Sequence, residues 1–167
     1  MRLALLLATL LVGGSVSLAE VSFKRVWPGY RTADSFVRLG EYFGAPENPL
    51  TDGLFRSDPA ERAGYYWLVR TDADADTPAA TFELEVILPG TAEPVTRSFP
   101  VTIPRGSTTT LIGLTGDDWP APDARPSAWR LVLRDQHGTT LTHDQSFLWR
   151  GDLPPTPAAP ASTSTNR

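Results

Sequence analysis

The 167-residue chain has no cysteine, one methionine, one lysine (Lys24) and two histidines. Without cysteine there is no disulfide framework, no thiolate metal site, no thiol nucleophile and no N-terminal cysteine to carry a lipid. Small secreted animal domains usually depend on disulfides, so an exported cysteine-free chain reads as bacterial. Its richness in alanine, arginine, proline and threonine agrees. Basic residues are scattered, and no Lys/Arg cluster interleaves with aromatics. A nucleic-acid partner and a polybasic membrane-surface segment are therefore both excluded from the reading. No long amphipathic helical pattern, no βαβ alternation and no internal repeat is visible.

One extended apolar run exists, Leu3 to Val12. It follows Met1-Arg2 and gives way to small residues at Ser17 and Ala19. That is the layout of a secretory signal peptide over residues 1–19, cut after Ala19. The run is about half of the ~20 residues a membrane span requires, so no span is expected once it is cleaved. The expected location is periplasmic or secreted. Cleavage removes one arginine and no acid from 15 basic and 19 acidic residues, leaving 14 against 19, a net charge of −5 over 148 residues. Residues 20–152 are read as a single domain. Residues 153–167 are read as a disordered tail, since from Pro154 onward they hold no apolar side chain larger than proline.

The most informative stretch is residues 127–149. Trp129, Leu131 and Leu133 alternate with Arg130, Val132 and Arg134, a period of two that puts the first set on a buried face. Asp135 to Gly138 supplies a tight turn, and the return strand closes on Phe147 and Trp149. Upstream, Glu20 to Trp27 reads as a first strand ended by Pro28-Gly29. Val21, Phe23 and Arg25 form one face of it, Ser22, Lys24 and Val26 the other. Residues 34–43 read as a short strand followed by irregular chain. Residues 44–63 read as a long surface connection pinned by Leu50, Leu54 and Phe55.

Tyr65, Trp67 and Val69 alternate with Tyr66, Leu68 and Arg70 in a strand apolar on both faces, hence central. Phe82, Leu84, Val86 and Leu88 alternate with Glu83, Glu85 and Ile87. Val95 to Ile103 carries Pro100 and belongs at an edge. Leu111, Ile112 and Leu114 form the next strand. The sum, about seven or eight short strands with regular turn signals, predicts an all-β antiparallel sandwich of immunoglobulin or fibronectin-III type. The alternative is a small barrel or jelly roll.

Chemistry-bearing residues are few. Asp72, Asp74, Asp76 and Glu83 have the spacing of a calcium loop, but Thr77 and Pro78 stand where that loop needs glycine and a free backbone, and strands flank it. No metal and no cofactor is expected. His143-Asp144 invites a triad with Ser146, yet neighbours on a strand face opposite ways and no nucleophile elbow is present. His137 and His143 are read as exposed hairpin histidines. The expected function is non-enzymatic: an exported module for protein interaction or cell-envelope assembly, its partner an envelope or extracellular protein. The alternative is a carbohydrate-binding module that uses exposed aromatics on a glycan. The candidate binding residues are Trp119, Asp117 and Asp118 in the loop 117–126, with Trp27 and Tyr30. Trp119 is either folded back as a plug or displayed.

Overall fold

The computed structural model describes residues 20–37 and 53–150. The signal peptide expected at residues 1–19, the irregular chain and connection expected over residues 38–52 with Leu50, and the tail expected at residues 153–167 lie outside these residues. Eight strands follow in order: β1 (Val21–Arg31), β2 (Leu54–Arg56), β3 (Gly64–Ala73), β4 (Thr77–Ile87), β5 (Pro94–Ile103), β6 (Gly106–Thr115), β7 (Ala128–Arg134) and β8 (Thr140–Gln145). They form two four-stranded sheets, one ordered β1-β3-β6-β2 and the other β5-β4-β7-β8. All ladders are antiparallel except the short β2–β6 pair, which is parallel. The fold is an all-β sandwich.

The alternation in β4 and β7 produces the core. Phe82, Leu84, Val86, Trp129, Leu131 and Leu133 are all buried and face Trp67, Val69, Ile112 and Leu114 from the other sheet in one cluster. β3 is central, between β1 and β6, and β5 is an edge with Pro100 on it. An edge strand has one side without a ladder, so a missing N–H is tolerated. The hairpin turn is fixed by Gly138 at φ 80° and by Asp135, whose carboxylate accepts from the backbone N–H of His137 and Thr139 at 2.8 Å each. This local side-chain bonding is what aspartate supplies in turns.

Five expectations are corrected. Leu54–Arg56, read as part of a surface connection, forms β2, paired in parallel with β6. β1 does not stop at Pro28-Gly29 but runs on to Arg31, because as an edge strand it tolerates the proline. Its ladder has a bulge at Lys24, between Phe23 and Arg25. The extra residue reverses the parity beyond it: Val26 joins Val69 against the core, while Arg25 and Trp27 turn to the outer face. Residues 33–36 form a 3-10 turn instead of a strand. The return strand ends at Gln145. Phe147 is 95% exposed, and only Trp149 folds back into cover, its N–H donating to the Ser146 carbonyl.

On the outer face of the second sheet the middle of β7 is covered. Arg130 is 4% exposed; it pairs with Glu85 at 2.6 Å and lies over the Trp149 ring. Arg134 reaches Glu83 at 2.6 Å. Val132 stands between the two arginines, opposite Glu83 and His143, and is fully buried.

Candidate functional site

The five sequence candidates separate into two places. Trp119 is a core residue, 7% exposed, stacked on Tyr65 with ring centroids 4.6 Å apart. Its indole N–H donates to the Ala121 carbonyl at 2.8 Å. A displayed tryptophan is ruled out: burial of a large amphipathic ring with its one donor satisfied is the more stable arrangement. Tyr30 is likewise turned inward. It sits across the ladder from Tyr65 and is half-buried against the core, so it is corrected from a displayed surface residue to a core-packed one.

Asp118 is a clamp. Its carboxylate takes a two-pronged hydrogen bond from Arg97, with Arg97 Nε 2.8 Å from one oxygen, joining the turn after β6 to the edge strand β5. The Arg97 guanidinium, aided by Ser57, holds the Asp118 carboxyl below the usual carboxylate range against the opposing effect of burial. The bond to Asp118 in turn raises Arg97. Asp117 is exposed beside it. Tyr65 and Tyr66 are both pushed up by burial, as phenols removed from water are.

Trp27 alone of the five remains a surface aromatic, 39% exposed. It belongs to an open groove of about 510 Å³ on the outer face of the first sheet, lined by Lys24, Arg25, Trp27, Arg70, Asp72 and Ser107. The ladder register builds it. Arg25 stands directly opposite Arg70, and Trp27 opposite Leu68. The Arg25 guanidinium lies 4.7 Å from the centre of the Trp27 ring. Arg70 Nε donates to the Ser107 hydroxyl at 3.1 Å, and Lys24 sits 3.6 Å from Asp72. The sequence candidates did not include Arg25, Arg70 or Ser107. Arg25 and Arg70 are 45 positions apart and meet only through the register, so no local pattern announces them.

The calcium spacing does not assemble a cage. Asp72 faces Lys24, Asp74 accepts from the Glu20 N–H at 2.8 Å, Asp76 accepts from the Arg105 N–H at 2.7 Å, and Glu83 is taken by Arg134. Among the described residues no group of three or more metal-ligating side chains converges. His143 pairs across the ladder with Val132 and Asp144 with Leu131, so the two side chains take opposite faces. No described helix is long and apolar enough to cross a membrane.

No protein-family model matches the chain, and neither the curated proteins nor the solved structures give a match.

Proposed function

We propose that the chain is an exported, non-enzymatic recognition module of immunoglobulin or fibronectin-III type. It serves protein interaction or envelope assembly in the periplasm or outside the cell. The chain crosses between layers at β3–β4, β5–β6 and β6–β7, which supports a Greek-key sandwich of that type. Export rests on the pattern of residues 1–19 and is tested by N-terminal mass analysis, which should find Glu20 first. Intact Met1 in a membrane fraction overturns it.

The observation that carries the recognition reading is the groove around Trp27. Its cations and exposed ring sit on a sheet face that the core does not use. Strand addition at β5 is the weaker route, because Pro94, Pro100 and Arg97 all blunt that edge. The loop 117–126 is weaker still, with Trp119 and Asp118 both spent on the fold. A second reading, a glycan ligand, has Trp27 in its favour, since a surface ring can stack on the apolar face of a sugar.

The experiment is cosedimentation of the purified protein with isolated cell envelopes. Wild type should sediment, and Trp27→Ala with Arg70→Gln should stay in the supernatant at unchanged melting temperature. Equal sedimentation of both sinks the assignment of the recognition face.

A further inference from the structure

Resting on that reading of the groove, we propose that its ligand is an acidic saccharide, a pyranose unit carrying a carboxylate of the uronic-acid kind. The groove holds an unfavourable arrangement. Arg25 and Arg70 are direct cross-strand partners on one face. Like charges in that relation destabilise a sheet. Neither has a carboxylate partner among the described residues: Arg25 lies over the Trp27 ring, and Arg70 donates to a serine hydroxyl. The one acid in the groove, Asp72, is beside Lys24. Two guanidinium groups of surplus charge therefore share an open groove on a chain whose net charge is −4.

A repulsive pair kept in place is relieved by an anion placed between its members. Guanidinium donors are forked, and a carboxylate matches the fork with two parallel hydrogen bonds. The bulge at Lys24 is what brings the pair together, by turning Arg25 and Trp27 to the outer face. Bulges commonly re-aim side chains in this way. Without it, the period of two from Val21 and Phe23 would carry both inward.

The remaining lining sets the rest of the ligand. Trp27 gives a partly exposed aromatic ring beside the Arg25 guanidinium. Ser107 offers a hydroxyl, and Asp72 an acceptor suited to sugar hydroxyls. A bare inorganic anion would use the arginines but leave Trp27 without a role. The groove volume, about 510 Å³, falls in the range of small-ligand sites. Contacts this exposed are weakened by salt, so the affinity should fall as ionic strength rises.

The test is titration calorimetry of the purified protein with short oligomers of galacturonic, glucuronic and mannuronic acid, their methyl esters, and inorganic phosphate. At least one oligouronate should bind. Its methyl ester, and the variants Arg25→Gln, Arg70→Gln and Trp27→Ala, should each weaken binding by about tenfold or more. Arg25 and Arg70 are exposed and repel one another, so their glutamine variants should melt no lower than wild type. An ester that binds as well as the acid overturns the carboxylate requirement. Phosphate binding as tight as any oligouronate, with Trp27→Ala unaffected, reduces the groove to an anion site and overturns the saccharide. If no oligouronate binds while envelope cosedimentation still depends on Trp27, the acidic saccharide falls and the recognition face stands. If both fail, the reading of the groove falls with it.

Discussion

Trp119 stacks on Tyr65 at 4.6 Å between centroids, with the ring planes inclined by 27°. Tyr65 also meets Trp67 edge-on at 5.2 Å, and Trp67 meets Trp129 at 6.3 Å. One aromatic chain thus runs from the loop after β6, through β3, to β7 in the opposite sheet. The loop is fastened to the core by its tryptophan, and offset rings of this kind add to the gain from burial alone.

Trp119→Ala should accordingly destabilise the domain by about 3–5 kcal/mol, the range of a large aromatic removed from a core. Chemical denaturation monitored by circular dichroism measures it. A loss below about 1 kcal/mol is a surface effect in size and would contradict the stacked placement.

Acid should weaken the link between β5 and the turn after β6. The Asp118 carboxyl is lowered in the folded state, chiefly by its hydrogen bond from Arg97. A depressed carboxylate stabilises the fold above its ordinary value, near pH 4, and that contribution fades as pH falls through the lower folded value. Asp118→Asn should therefore be less stable than wild type near neutrality, with the gap closing in acid. A gap that stays constant between pH 7 and pH 3 denies the linkage.

Gly64 opens β3 where the backbone passes very close to β6. A Cβ there would lie 2.2 Å from the Leu114 carbonyl oxygen and 2.7 Å from the Thr115 methyl. Backbone cannot step aside as a side-chain tip can, so Gly64→Ala should cost about 1–3 kcal/mol, the scale of overpacking. Thermal melts give the number, and an unchanged melting temperature counts against the packing. Gly90, with open space around it, is the matched control for sterics, though its φ of 79° adds strain of its own.

Calcium should leave the protein unmoved. The three aspartates of the 72–76 turn hold Lys24, the Glu20 backbone and the Arg105 backbone respectively, and Glu83 belongs to Arg134 on the other sheet. Calorimetry should find no site tighter than ~1 mM, the weak end of extracellular calcium modules. Micromolar heat abolished by Asp74→Ala reverses this.

Local pattern was enough for the long strands and the two-layer class, though not for β2. Phe82, Leu84 and Val86, or Trp129, Leu131 and Leu133, alternate over the length of a strand, and alternation of that length has one stable use, a face laid on a core. Pro100 likewise marked its strand as an edge, because a missing N–H is a property of the residue. Asp135 and Gly138 set the hairpin turn through their own short-range chemistry.

Which way the residues of β1 face, and which surface remains open, follow from pairing between distant segments. The facing of Trp27 and Tyr30 depends on the bulge at Lys24, and a bulge exists only relative to the partner strand. The meeting of Arg25 with Arg70 depends on the same register. Whether Trp119 plugs or protrudes was set by Tyr65, more than fifty positions away, whose ring offers it a stacking partner. Period and turn chemistry are local, and the chain displays them. Register and stacking join distant segments through the gain from burial they share, so they take definite values only once the two sheets have closed on one another.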